Sequence, residues 1–155
     1  MEKNNALRHA EEIKNGIKAK ADKNKSWSTF FFAVIILATV ISPTLILVSD
    51  YDIVSKYIPA GLSILAAIAA YWIQIRKPNE RWVLYRTYQR ELEYEISQYK
   101  FETGKYDTEE DKEKLLANSV NEKALKLHYD WVPIVPKATD VKSILPAPKQ
   151  LHDGN

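Results

Sequence analysis

The chain has 155 residues, a length typical of one domain, and its 22 Lys and Arg residues against 20 Asp and Glu residues give a formal charge of +2. This near balance argues against a dedicated nucleic-acid-binding protein, which usually carries a strong basic excess. The absence of cysteine excludes disulfide scaffolds, thiolate zinc sites and cysteine nucleophiles.

The N-terminal segment, residues 1–25, is predicted to form an amphipathic helix that runs into the next segment. It contains no proline, and apolar side chains recur in a thin stripe at Leu7, Ala10, Ile13 and Ile17. Its net charge of +3, from seven basic and four acidic residues, suits an anionic membrane surface. The alternative is a solvated terminus.

Two uncharged apolar runs follow, and we predict that residues 26–77 form a transmembrane hairpin. The runs cover residues 27–49 and 57–75, which as helices reach about 35 and 28 Å. A bilayer core is about 30 Å thick, so both runs can span it. Two buried core helices are the weaker alternative, because the rest of the chain has too few apolar residues to cover them.

Basic residues near the ends of the spans predict the orientation. Ten lie before the first span or after the second, against one in the loop between them. By the positive-inside rule, both termini are expected in the cytoplasm, and the protein in a cytoplasmic (inner) membrane.

Polar and small residues within the spans are candidates for helix packing or pore lining. Pro43 removes a helix hydrogen bond, and the nearby hydroxyls either repair the break or line a pore with it. On the second span small residues recur every three or four positions, a pattern that lets helix backbones approach closely in lipid. The bulky stripe of Leu65, Ile68, Trp72 and Ile75 is expected to face lipid. The candidates are Thr39, Ser42, Pro43, Ser63, Ala67, Ala70 and Gln74.

Residues 78–131 are predicted to form an antiparallel pair of cytoplasmic helices. The first is capped by Asn79 and stopped at Gly104, and the second begins with a capping box at Thr108. Leu92 and Ile96 of the first are expected to pack on Leu116, Val120 and Leu127 of the second. Arg81, Arg86 and Arg90 can meet lipid phosphates. Four prolines predict an extended tail over residues 132–155, a candidate interaction segment.

The sequence offers little for an enzyme. His9, His128 and His152 have no partner at metal-ligand spacing. Glu91 and Glu95 share a helical face, but we expect them to meet Arg or Lys from an adjoining helix rather than to bind a metal. We therefore predict no enzymatic activity, no metal and no cofactor.

The helices and the turn after the hairpin share a spaced set of residues: Trp82, Arg86, Glu91, Glu95, Tyr99, Gly104, Tyr106 and Trp131. With the two spans before it, this pattern resembles the SLATT family of bacterial two-transmembrane proteins, and the likeness covers about residues 8–132. The family is proposed to act as a pore-forming effector in antiviral conflict systems. The resemblance therefore implies an oligomer and a partner protein that senses or synthesises nucleotides.

These patterns predict an all-α integral membrane protein, with the lipid bilayer and further copies of itself as partners and no nucleic acid. The leading hypothesis is an oligomeric membrane effector that forms pores or otherwise perturbs the membrane. The alternative is a membrane-anchored helical scaffold that recruits a partner through its cytoplasmic helices or tail.

Overall fold

The chain is all-α over residues 5–108 and 110–136, which the computed structural model describes, and no strand occurs in these ranges. A π-helical turn at Ile53–Tyr57 and a 3-10 turn at Gly104–Tyr106 connect helices, and a second 3-10 turn at Val132–Ile134 follows the last described helix. The predicted fold class is thus confirmed. The four helices are α1 (Asn5–Val48), α2 (Ile58–Arg76), α3 (Pro78–Lys100) and α4 (Lys112–Trp131).

Helix α1 joins the predicted N-terminal helix and first span into one helix of 44 residues, about 66 Å long. Its first half packs against α3 and α4. Ala10 and Ala21 are fully buried there and Ile17 nearly so. The apolar stripe of residues 1–25 is therefore covered by protein within the described residues, rather than lying on a membrane surface or in solvent.

The polar part of the described chain is a three-helix bundle of the first half of α1, α3 and α4 rather than a helix pair. Helix α3 runs antiparallel to both α1 and α4, as the ion pair between Lys100 and Glu11 illustrates. The expected packing of α3 on α4 is confirmed, since Leu92 and Ile96 share one cluster with the three predicted α4 residues. The cluster consists of Ala10, Ile17, Tyr88, Leu92, Ile96, Tyr106, Leu116, Val120 and Leu127.

The predicted starts of the two helices after the hairpin were wrong. Helix α3 begins at Pro78 instead of after Asn79, because proline supplies a helical φ and lacks an N–H that the first turn cannot use. Lys77 before it takes a left-handed φ of 46° and so separates α2 from α3. Helix α4 begins after Asp111, whose carboxylate accepts the Lys114 N–H at 3.1 Å, and not at Thr108.

In the apolar half, α1 and α2 pack as an antiparallel hairpin with a regular seam. Along α1, the residues with reduced exposure step by three and four, and Ala38 at their centre is 3% exposed. This spacing is typical of left-handed helix packing. On α2 the corresponding contact face consists of Pro59, Leu62, Ala66, Ala69 and Ile73.

Of the predicted tail, residues 132–136 are described, and 132–134 form a 3-10 turn. The remainder of the predicted extended segment, residues 137–155, lies outside the described residues.

Candidate functional site: an exposed membrane hairpin on a polar-linked bundle

The spans are long, apolar and almost uncovered. The most apolar windows reach a mean hydropathy of 2.6 in α1 and 1.7 in the helical run that contains α2, and 6% and 11% of these windows are buried. A core helix of a water-soluble protein would be largely buried, so this exposure indicates a lipid-facing surface. Both helices are long enough to cross a membrane.

Aromatic rings join the two apolar helices at the end that adjoins the bundle. The Trp72 ring stacks on Phe31 at 4.3 Å between centroids and lies 5.7 Å from Trp27. Trp72 therefore packs on α1, which corrects its expected place on a lipid-facing stripe. The indole is large enough to extend from the edge of the α2 contact face over the seam between α1 and α2.

The small-residue face of α2 is turned away from α1. We use this name for Ala60, Ser63, Ala67, Ala70 and Gln74, each of which is exposed. These residues sit one position after the members of the α2 contact face, so they lie about 100° around the helix from it. Within one chain, α1 thus packs on a neighbouring face and leaves the small-residue face free.

Pro43 sits inside α1 without ending it. Its side chain is exposed, and the Thr39 hydroxyl donates to the carbonyls of Ile35 and Ile36, at 2.9 Å each. Ser42 lies on the seam toward α2, where its buried Oγ has no hydrogen-bond partner among the described residues. Thr39 and Pro43 lie one turn apart on an exposed side of α1, whereas Ser42 lies on a different side, so the structure does not gather all three at one point.

A buried polar cluster ties the bundle together beneath the hairpin. The Glu95 carboxylate is 4% exposed and receives hydrogen bonds from the Tyr106 hydroxyl at 2.5 Å and from Lys105, whose Nζ is 2.6 Å away. Lys105 also donates to the Ser119 hydroxyl of α4 at 2.6 Å. The cluster therefore joins α3, the 3-10 turn and α4 through one carboxylate.

The pKa values of this cluster follow from its contacts. Burial alone would raise the pKa of the Glu95 carboxyl, but the hydrogen bonds from Lys105 and Tyr106 and the charge of Lys105 outweigh burial and lower it. Burial and the bond to Glu95 raise the pKa of the Tyr106 hydroxyl. Glu95 is thus held ionised and Tyr106 protonated, which suits a structural link rather than acid–base chemistry.

Glu91, the other carboxylate on the same helical face as Glu95, also has a basic partner. It lies 3.5 Å from Lys123 of α4. The expectation that Glu91 and Glu95 meet basic partners is therefore confirmed, although Lys105 comes from a turn and not from a helix. Within residues 5–108 and 110–136, no group of three or more His, Cys, Asp or Glu could hold a metal ion.

The remaining residues of the family likeness also make contacts that stabilise the bundle. Lys25 of α1 lies over the Trp82 ring at 5.8 Å, and Arg81 lies over the Trp131 ring at 5.9 Å. The Tyr99 ring meets Tyr106 edge to face at 5.6 Å. These aromatic residues therefore link α1, α3 and α4.

Arg86 and Gly104 have local roles. Arg86 donates to Gln89 at 2.7 Å, so its guanidinium is engaged within α3 and not extended toward lipid. Gly104 has a φ of 63°, and a Cβ there would lie 2.7 Å from Nε2 of Gln98. The positive φ favours glycine in the turn that brings Tyr106 under α3.

Two further contacts between helices are not predicted by the sequence. The Tyr88 hydroxyl donates to Asp130 of α4 at 2.5 Å, and His9 of α1 lies 3.2 Å from Asn121 of α4. Nothing in the spacing marks Asp130 or Asn121, since both lie outside the apolar stripe of α4. Tyr88 could have been found in the sequence, because it is a large side chain beside the apolar residues of α3.

Comparison with known proteins gives one family match. The family model described as a protein of unknown function (DUF4231) matches residues 15–114, which include both spans, α3 and the 3-10 turn. The chain belongs to this DUF4231 family. A search of curated proteins and of solved structures finds no significant match.

Proposed function

We propose that this DUF4231 protein is an oligomeric membrane effector of a bacterial conflict system, one that forms pores or otherwise perturbs the membrane. The observation that carries the proposal is the exposed small-residue face of α2, which is left over once α1 and α2 have packed. Helices associate in lipid through such faces because small side chains let backbones approach. A second copy of the chain is the partner we assign to it.

Oligomerisation is essential to the proposal, because two helices cannot enclose a conduit. Neither span contains Asp, Glu, Lys, Arg or His, the residues that proton relays and ion-coupled transporters use. A pore would have to be lined by hydroxyls, the Gln74 amide and backbone carbonyls. Such a lining has no fixed charge, so we expect poor discrimination between ions.

The likeness to the SLATT family supports the conflict-system part of the proposal. Seven of the eight residues that carry the likeness contact other elements of the bundle or shape its turn, and Arg86 bonds within α3. They therefore stabilise a bundle that is attached directly to both spans. We propose that both termini are cytoplasmic and that a separate nucleotide-sensing or nucleotide-synthesising protein acts on this bundle.

The experiment is induction of the full chain in bacteria at graded levels, with a voltage-sensitive dye and quantification of the protein in membranes. We expect depolarisation that rises more steeply than linearly with membrane-inserted protein, because association is a concentration-dependent step. Cells that keep their potential at every level of inserted protein would instead favour the scaffold alternative.

A matched variant tests the role of the proline. Pro43→Ala restores the helix hydrogen bond to the Thr39 carbonyl, and we expect less depolarisation at equal insertion. Equal depolarisation by Pro43→Ala and the parent would remove Pro43 from the mechanism without removing the pore.

A further inference from the structure

We propose that the end of α4 rests in the polar headgroup layer of the bilayer, so that the bundle touches the membrane at a point outside the two spans. The residues concerned are Tyr129, Val132 and Pro133, each of which is exposed, and we call them the interfacial tip. The partner that this surface fits is a lipid surface.

Helix α4 runs back toward the apolar hairpin. Helix α3 begins at Pro78, two residues after α2 ends at Arg76. Arg81, in the first turn of α3, lies over the Trp131 ring at 5.9 Å. The end of α4 therefore lies beside the start of α3, at the end of the bundle that adjoins the spans.

Two routes through the chain give the same depth for this end. Arg81 follows Ile75, the last residue of the predicted second span, by six residues, or about 9 Å. Lys20 of α1 lines a cleft with Trp131 and precedes Trp27, the first residue of the other span, by about 10 Å. The headgroup layer extends about 5–8 Å beyond the hydrocarbon, so the tip, which continues α4 past Trp131, reaches this layer.

The interfacial tip is apolar where the depth favours apolar and aromatic side chains. Residues 132–136 read VPIVP and contain no polar side chain. Tyr129 is 64% exposed and Val132 is 47% exposed. Isolated exposed apolar residues are common on protein surfaces, so exposure alone assigns no partner. In the interfacial layer of a bilayer the same side chains are stabilised, tyrosine in particular.

The charges near the tip are compatible with this contact. The Glu80 carboxylate is paired with Lys77 at 3.7 Å, and the Asp130 carboxylate accepts the Tyr88 hydroxyl at 2.5 Å. Arg76, at the end of α2, is an exposed cation on the same side of the hairpin. An anionic lipid surface attracts such a cation.

The inference depends on the chain lying in a membrane and not on pore formation or on contact between chains. The test is site-directed spin labelling of the full-length protein in vesicles of phosphatidylcholine and phosphatidylglycerol. Because the chain contains no cysteine, a single introduced cysteine carries the only label. Asn118, Leu125 and Val132 are exposed on one face of α4 and lie about 10 Å apart along its axis, so they form a depth series.

The measurement is the accessibility of each label to oxygen, which concentrates in lipid, and to a water-soluble nickel chelate. We expect the label at Val132→Cys to be more accessible to oxygen than to nickel. Asn118→Cys and Leu125→Cys should show the reverse, because they lie further from the spans. Leu65→Cys, on the exposed side of α2, gives the reference value for lipid.

Two results at position 132 would overturn the proposal alone. Nickel accessibility equal to that of Asn118→Cys would place the tip in water, and shielding from both reagents would assign the tip to a protein contact. A Leu65→Cys label that nickel reaches freely would instead overturn the membrane location, and this proposal with it.

A charged substitution tests whether the apolar side chain holds the tip in place. Val132→Asp should increase the nickel accessibility of a label at Tyr129→Cys several-fold, because a carboxylate is disfavoured at an anionic lipid surface. Asn118→Asp, on the same face of α4, is the matched control and should leave that label unchanged. Both substituted positions are exposed, so both variants should fold. Equal accessibility in Val132→Asp and Asn118→Asp would contradict the proposal.

Discussion

Glu95 shows how a single carboxylate is accommodated in the bundle. An ionised carboxylate that is 4% exposed costs several kcal/mol to bury unless it is paired and hydrogen-bonded. Lys105 and Tyr106 supply both, and the left-handed φ of Gly104 places them there. The charge of Glu95 is therefore coupled to the shape of the turn after α3.

This coupling makes bundle stability depend on pH. The pKa of Glu95 is lower in the folded chain than its usual value. Its contribution to the free energy of unfolding is therefore complete above the unfolded pKa of about 4.3, and it is lost as the pH falls below that value. We expect the melting temperature of the bundle in detergent to fall with acidification below about pH 4.3, and Glu95→Gln to flatten that dependence.

Glu11 and Glu93 also have lowered pKa values, so part of the acid dependence will remain in Glu95→Gln. Glu11→Gln is a useful control because its partner Lys100 is on the surface. A melting profile of Glu95→Gln that matches the parent at every pH would show that the buried pair contributes nothing to the dependence.

At the residue scale, the sequence could predict that Glu91 and Glu95 need basic partners, because like charges one turn apart repel. It could not predict that one partner is Lys105. That contact depends on the path of a turn whose conformation is set by Gly104 and Gln98, and no periodic pattern encodes such a path.

Helix α3 illustrates how packing determines the width of a buried face. The sequence predicts that Leu92 and Ile96 of α3 pack on one helix, α4. Since α1 and α4 both contact α3, Tyr88 and Glu95 are buried as well. The sequence could predict that α3 packs on α4 but not that the third helix of the bundle is the start of α1, because both the membrane-surface and the solvated interpretation fitted its weak stripe.

Leu92 provides a test of this packing. It is 0% exposed at the centre of the core cluster, so Leu92→Ala should lower the free energy of unfolding by about 2–5 kcal/mol. Leu125→Ala on α4 is the matched control, because Leu125 is 55% exposed and should change stability by less than about 1 kcal/mol. Urea titration in detergent, followed by limited proteolysis, measures both.

Equal midpoints for the two leucine variants would contradict the core described here. Equal protease resistance of Leu92→Ala and the parent would likewise mean that this side of α3 is not packed as a core.

At the scale of the whole molecule, the described residues form an exposed apolar hairpin that continues into a helical bundle. Because α1 is continuous from Asn5 to Val48, a displacement of the bundle would be transmitted directly into the first span. The sequence predicts an N-terminal helix that runs into the first span, since no proline lies between the charged and apolar halves of α1, and the structure has this continuity.

Orientation in the membrane is testable at the same scale. The ten-to-one excess of basic residues flanking the hairpin predicts that both termini are cytoplasmic. A reporter enzyme that is active only outside the cytoplasmic membrane should be silent when fused after Asn155 and active when inserted in the loop at Asp50. High activity from the C-terminal fusion would reverse the assignment.

The central claim is that the small-residue face of α2 joins one chain to another. Because the chain contains no cysteine, a single introduced cysteine reports on its own position alone. Ser63→Cys lies on the small-residue face and Leu65→Cys on the bulky side, which is 49% exposed in one chain. Ala67→Leu adds bulk to the small-residue face, and Ala33→Leu adds the same bulk to an exposed position on α1.

The most direct measurement is the yield of oxidative cross-linking in native membranes. The account predicts abundant cross-linked dimer for Ser63→Cys and little for Leu65→Cys. Adding Ala67→Leu to Ser63→Cys should suppress the dimer, because the larger side chain holds the facing backbone away, whereas Ala33→Leu should not. Equal yields from Ser63→Cys and Leu65→Cys, unaffected by Ala67→Leu, would contradict the claim.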